Sequence, residues 1–243
     1  MRRSMPQSAR SSYATRRYRW RLSRVWRHDL SRQAGQGGAL VEQGIADNTV
    51  LWFASDNGPE GVEDIRPGRT GGLRERKRSL YEGGIRIPAV IEWPARVKAG
   101  SSTDAPIVTS DILPTLLGWA GSELPPGRQF DGIDIDPIVL GKVRVPRSSI
   151  GFESQDQLVW LGDRYKLIYG VRRWQSKFGQ SKETDIEFEL YDIVNYPGET
   201  TDLSTQHPEI TKRMAQELWR WRASVAASIA GDERSAIHES FDE

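Results

Sequence analysis

At 243 residues the chain can form one large domain or two modest ones, with enough length to bury a real core. Hydrophobic residues at 37% and charged residues at 28% are a globular composition, and no apolar run reaches the length of a membrane span. With no cysteine, disulfides, thiolate metal sites and a cysteine nucleophile are excluded. The net charge of +1 hides an asymmetry: residues 1 to 32 hold ten arginines, no lysine and one acid, Asp29, so that stretch carries +9 and the remainder −8.

The opening 33 residues lack a sustained apolar period and read as disordered or weakly helical. Arginine pairs at Arg2-Arg3 and Arg16-Arg17 are followed by no apolar core, so no signal peptide is read here. Arginines interleaved with Tyr13, Tyr18, Trp20 and Trp26 would suit phosphate contacts and base stacking. That is the weaker reading of the arm, and nucleic acid is not the expected partner.

Val50, Leu51, Trp52, Phe53 and Ala54 run without a polar break, which predicts a strand buried on both faces of a parallel sheet. The run stops at Ser55-Asp56-Asn57-Gly58, and in open parallel sheets ligand groups gather just past such strand ends. A carboxylate and an amide oxygen side by side suit a hard divalent cation, and Gly58 permits a sharp turn behind them. A plain tight turn is the alternative reading of Asn-Gly.

Gly58 to Ser79 is too long for an ordinary connection, and loops of that length are usually functional or disordered. Five glycines (Gly58, Gly61, Gly68, Gly71, Gly72) allow close backbone approach. Six cations (Arg66, Arg69, Arg74, Arg76, Lys77, Arg78) concentrate positive charge, a pairing suited to a tetrahedral oxyanion such as sulfate or phosphate. A solvated basic loop without a ligand is the alternative. No Gly-Lys-Ser/Thr follows a four-residue spacer, so this is not a Walker loop.

The order Ser-Asp-Asn-Gly-Pro, then Gly-Gly-Leu-Arg-Glu-Arg-Lys-Arg-Ser-Leu-Tyr-Glu-Gly-Gly-Ile-Arg-Ile-Pro, then Val-Ile-Glu-Trp-Pro resembles the downstream half of a type I, formylglycine-dependent sulfatase. The resemblance implies that Asp56 and Asn57 are calcium ligands and that Lys77 contacts the substrate's sulfate, with Arg74 and Arg76 as weaker substrate-binding candidates. Lys77 would then neutralise charge building on the transferring sulfuryl group. The family's formylglycine arises within a Cys/Ser-x-Pro-x-Arg motif. Ser4-Met5-Pro6-Gln7-Ser8 fails it at Ser8, so the nucleophile is absent here and the calcium site incomplete. An incorrect start or shifted frame would explain the atypical arm.

Beyond Pro94 a helix is predicted from Thr109 or Ser110, its hydroxyls capping free amides and Asp111 at the positive end of the dipole. Ile112, Leu113, Leu116, Leu117 and Ala120 share one face and are expected in the core. After a linker at Gly141 to Arg147, a strand is read at Ser149 to Glu153. A hairpin turns at Gly162-Asp163 between Leu158-Val159-Trp160 and Tyr165 to Tyr169, and a further strand runs from Phe188 to Asp192. Residues 171 to 185 read as a polar loop. Pro208 starts the clearest helix, where Ile210, Met214, Leu218, Trp221 and Val225 form one stripe expected to pack on the small sheet. Glu82 reads as a buried carboxylate accepting backbone amides at a glycine turn. His28, His207 and His238 are too scattered for a metal site.

The expected fold is α/β: a partial alkaline-phosphatase-like sandwich, an incomplete mostly parallel sheet with helices, plus a small C-terminal antiparallel sheet with a packed helix. The expected divisions are 1–40, an atypical arginine-rich segment; 41–145, the C-terminal portion of a sulfatase catalytic domain; and 146–243, a C-terminal subdomain. The implied function is that of a fragment of a sulfuric ester hydrolase acting on aryl or carbohydrate sulfates, inactive alone. The alternatives are a non-catalytic binder of sulfated glycans or anions, and a phosphoesterase or phosphotransferase of the same superfamily. Sulfate esters are the expected partners, no membrane is, and self-association through an exposed sheet edge is anticipated. Family members are often periplasmic or secreted, and the location of this chain is left open.

Overall fold

A computed structural model describes residues 37–61, 68–123, 130–143, 149–170 and 188–231. The arginine-rich arm, Arg66, most of the expected linker, the 171–185 loop and His238 lie outside the described residues.

The clearest unit is a four-stranded antiparallel meander in the order β3-β4-β5-β6, formed by β3 (Ser149–Ser154), β4 (Gln157–Gly162), β5 (Tyr165–Tyr169) and β6 (Glu189–Asp192). Its strands fall where the alternation of turn and apolar residues predicts them. The register pairs Phe152 with Val159, Val159 with Ile168 and Ile168 with Glu189. Because side chains alternate between faces, this assigns each residue a side. Leu158, Leu167 and Leu190 take one face, where they pack with Met214 and Leu218 of the terminal helix, Pro208–Ala230. Ile210 and Trp221 join the same cluster, as the stripe in the sequence predicts. Gly151 is required there, since a Cβ would fall 2.3 Å from the Trp221 indole.

The opposite face carries Ile150, Val159, Leu161, Ile168 and Tyr191, and it is also covered. Leu80 and Tyr81, from the end of the glycine-rich loop, are buried among them. The small sheet is thus a middle layer, with the terminal helix on one side and the loop segment on the other. This second layer does not show in the sequence, because Leu80 and Tyr81 belong to no periodic run.

The upstream part contains β1 (Leu51–Ala54) and β2 (Ala89–Glu92). They pair antiparallel, with Trp52 opposite Ile91, and β1 is half-buried rather than enclosed on both faces in a parallel sheet as its apolar run predicts. Among the described residues this ribbon has two strands. An unbroken apolar run reports on lipophilicity, not strand direction, so the pairing was not legible in it. Trp119 packs edge-on against Trp93 at 5.1 Å and lies 6.2 Å from Trp52, tying the ribbon to the helix Ile112–Trp119.

That helix departs from expectation on its apolar face. Leu113 and Leu116 are exposed, at 54% and 41%, while Pro114 and Thr115 are buried. Nor do the Thr109 and Ser110 hydroxyls cap it. Thr109–Asp111 is a 3₁₀ turn, and the buried Asp111 carboxylate accepts from the amides of Val108 at 2.8 Å and Ile133 at 2.9 Å. Thr115 Oγ1 donates to the Asp111 carbonyl and accepts from the Ile135 amide, so the buried side of the helix carries a hydrogen-bonded polar group beside Pro114.

Asp192 ends β6 and accepts from Arg164 Nη2 at 2.8 Å and from Asn195 Nδ2 at 2.8 Å. Burial pushes its carboxyl up, but the Arg164 and Asn195 hydrogen bonds outweigh that and hold it below the ordinary range. A depressed folded-state value contributes stability that is present above the unfolded value, near 4, and is lost as pH falls through the folded one. Urea midpoints measured from pH 7 to pH 2 should therefore fall below about pH 4, and less so in Arg164→Ala. An unchanged acid limb in that variant would contradict this role.

Candidate functional site

The site is built from three backbone segments pressed together without room for side chains. Gly58 donates its N–H to the Gly84 carbonyl at 2.8 Å, and Gly83 donates to the Arg74 carbonyl at 2.7 Å. A Cβ on Gly58 would lie 1.9 Å from the Gly83 carbonyl oxygen, and one on Gly83 would lie 2.1 Å from that of Glu75. Backbone atoms cannot move aside as flexible side chains can, so glycine is obligatory at this crossing. The short helix Glu82–Ile85 thus clamps the turn after β1 against the basic loop. Lys77 adds a further tie, its N–H meeting the Pro59 carbonyl at 3.2 Å.

The lacing brings the Asp56-Asn57 turn and the Lys77 loop side by side. Asp56 is exposed and Asn57 half-buried, and Ser55 Oγ donates to the Asn57 carbonyl at 2.9 Å. Their donor set, one carboxylate and one amide, is chemically right for a hard cation. It is two ligands where calcium takes six to eight oxygens. Among the described residues no group of three or more acidic, histidine or cysteine side chains is placed to hold a metal.

The basic residues have different fates. Lys77 and Arg78 are partly open to water and face Glu60: Lys77 Nζ lies 3.6 Å from its Oε2, and Arg78 Nη1 meets its Oε1. Arg76 turns inward, donating from Nη2 to the Gly68 carbonyl at 2.8 Å, while its Nε and Nη1 are buried without a hydrogen-bond partner among the described residues. Arg74 is directed at the C-terminal sheet. Its guanidinium stacks 3.8 Å above the Tyr81 ring and donates to Tyr191 Oη at 2.9 Å and to the Glu199 carbonyl at 3.1 Å. Glu75 and Arg78 adopt positive φ, 59° and 78°, so the loop is held in a backbone region that L-residues seldom occupy.

Beneath the loop runs a seam of buried charge. Lys166 of β5 has no exposure to water, and its Nζ lies 2.9 Å from both Glu82 Oε1 and Glu199 Oε1. Glu199 Oε2 accepts from the Glu82 backbone N–H at 2.7 Å, and Arg86 Nη1 stands 3.4 Å from Glu82 Oε2. Glu82 is therefore buried as expected, but its carboxylate pairs with cations rather than with backbone amides. Burial, with the neighbouring Glu82 charge, pushes the Glu199 carboxyl up against the pull of Lys166. Alongside, Glu189 Oε2 accepts from the Tyr81 and Tyr191 hydroxyls. Burial and the Glu189 charge push both phenols well above their ordinary value, so both remain donors.

Neither Lys166 nor Glu199 was singled out from sequence. A signal existed for Lys166: in the Tyr165–Tyr169 alternation it shares a face with Ile168, so a strand buried on that face must bury an ammonium too.

Comparison with known proteins identifies the family and the fold. Residues 38–122 match the family model for sulfatases. The chain is 39% identical over 215 residues to human arylsulfatase A, covering 79% of this chain and 41% of that protein. It is 29% identical over 235 residues to rat arylsulfatase G, covering 88% and 44%. A solved structure described as a sulfatase from a Bacteroides thetaiotaomicron locus for metabolism of glycosaminoglycans superposes with a TM-score of 0.67 at 26% identity, covering 80% of this chain and 43% of that one. Over residues 38–122 the chain is a match to the sulfatase family, and its α/β architecture is that of sulfatases. It spans less than half the length of the relatives it matches.

The seam makes a direct demand on stability. Lys166→Met leaves the buried Glu199 carboxylate without its cation and Glu82 with Arg86 alone, and should cost roughly 3–5 kcal/mol in urea unfolding. Adding Glu82→Gln and Glu199→Gln, which leaves no stranded charge, should recover much of it. A loss below about 1 kcal/mol for the single variant would place the charges in water rather than in a seam.

Proposed function

We propose that this chain provides the calcium-facing and sulfate-facing wall of a sulfuric ester hydrolase acting on aryl or carbohydrate sulfates. The observation that carries this reading is the glycine crossing, which lays the Asp56-Asn57 turn against the loop bearing Lys77. In this reading Lys77 holds a sulfate oxygen through a charge-assisted hydrogen bond, and Asp56 and Asn57 supply two oxygens to the cation. Bound there, calcium would serve as Lewis acid and template for the sulfate oxygens. Arg76 stiffens the loop from below, and Arg74 anchors it to the C-terminal sheet, so both act on the substrate through the position of Lys77.

The sequence holds no cysteine and no Ser-x-Pro-x-Arg, so none of its 243 residues supplies the formylglycine nucleophile expected of the family. Its own contribution is binding, and alone it is inactive as a hydrolase. The division near residue 145 separates the loop-bearing part from the sheet that supports it. The exposed Val90, Leu113 and Leu116 favour self-association of the isolated chain.

Calorimetric titration of the full chain tests the assignment. Lys77→Ala should weaken sulfate binding by about tenfold or more, as expected for loss of a hydrogen bond to a charged group. Asp56→Asn should weaken calcium binding and leave the urea midpoint unchanged, since Asp56 is exposed. Wild-type affinities in both variants would overturn the reading. Heparin affinity that survives Lys77→Ala and chelation would instead favour a non-catalytic binder of sulfated glycans.

A further inference from the structure

Lys77 is not an open cation. Glu60 spans it and Arg78: Oε2 lies 3.6 Å from Lys77 Nζ, Oε1 meets Arg78 Nη1, and the Glu60 carbonyl accepts from Arg76 Nη2 at 3.5 Å. All three charged ends are partly open to solvent, with side-chain exposures of 39% for Lys77, 54% for Arg78 and 41% for Glu60. An incoming anion can therefore reach them. The placement is fixed by the backbone, because Glu60 follows Pro59, whose carbonyl receives the Lys77 N–H, and Gly58, whose N–H is tied to Gly84. An anion arriving at Lys77 thus meets a carboxylate already in place.

We propose that Glu60 tunes the charge selectivity of the Lys77 site, cutting back the electrostatic advantage that dianionic phosphate monoesters would otherwise hold over monoanionic sulfate esters. The inference rests on the reading of Lys77 as the sulfate contact. Two cations and one carboxylate leave a local charge of +1, which a sulfate monoester neutralises. A phosphate monoester carries nearly two negative charges above its second ionisation, near pH 6. Coulomb energy scales with ligand charge, so a fixed carboxylate repels the dianion about twice as strongly as the monoanion. Glu60 is ionised wherever this matters: the Arg78 hydrogen bond, outweighing slight desolvation and aided by the Lys77 charge, holds its carboxyl below the ordinary range. The same two cations without Glu60 would give the dianion a larger electrostatic advantage.

The experiment titrates phenyl sulfate and phenyl phosphate into the full chain and into Glu60→Gln at pH 7.5 and pH 5, with Lys77→Ala and the double variant alongside. At pH 7.5, Glu60→Gln should tighten phenyl sulfate about twofold and phenyl phosphate about fourfold, the energy doubling with ligand charge. At pH 5, where the phosphate ester is a monoanion, both gains should be about twofold. Glu60→Ala should behave alike and covers the case of a misfolded glutamine variant. Equal gains for the two esters at pH 7.5, or the same gains in the Lys77→Ala background, would overturn the proposal while leaving Lys77 as the sulfate contact. Phenyl sulfate binding that is indifferent to Lys77→Ala would overturn the underlying reading itself.

Discussion

A lysine ammonium sealed from water in the middle of a sheet must be neutralised where it stands, and much of this molecule is arranged around that requirement. Lys166 meets Glu82 on the loop side and Glu199 on the turn after β6, and the two glutamates are joined through the Glu82 backbone N–H. A buried pair of this kind is weak support for net stability, because desolvation consumes most of the Coulomb attraction. What it does here is select a geometry. The seating of the Glu82–Ile85 helix that puts the Glu82 carboxylate beside Lys166 also presses Gly83 onto the Arg74-Glu75 backbone and Gly84 onto Gly58.

The consequence for the site is a division of labour between two parts of the chain. Asp56 and Lys77 are exposed to solvent, while the sheet beneath them supplies rigidity through Tyr81, Arg74 and the seam. Positive φ at Glu75 and Arg78 fits this picture, since such backbone persists only where the surroundings over-determine it. Of the loop's basic residues, Arg74 and Arg76 serve the fold from within it, and Lys77 and Arg78 share the carboxylate of Glu60.

The sequence made the four-stranded sheet legible almost strand by strand, because period-two alternation and turn residues are local signals that the β3 to β6 meander obeys. It also marked the terminal helix, from Pro208 to the left-handed Gly231 that ends it. It could not give what depends on distant pairing. The antiparallel partnership of β1 with β2 was hidden, as was the second covering of the small sheet by Leu80 and Tyr81. The apolar face read on the Ile112–Trp119 helix failed for a related reason: periodicity locates a stripe, but the partner decides whether the stripe is covered, and here Asp111 and Thr115 are the buried groups. Asp56, Asn57 and Lys77 are proposed as site residues from the sequence and its resemblance, and the structure lays their two segments side by side. The seam that holds them could not be named from the sequence, since Lys166 and Glu199 stand 84 and 117 residues from Glu82 and its N–H.

The dependence of the loop on the sheet is tested most directly by native-state amide hydrogen exchange in low denaturant. If the seam makes one cooperative unit, the amides of Gly58, Gly83 and Leu80 should exchange with the same opening free energy as those of Leu167 and Ile168 in β5. Lys166→Met should then lower all five together. Loop amides that open at a much lower free energy than β5, and do not respond to Lys166→Met, would contradict a site held in place by the buried charge beneath it.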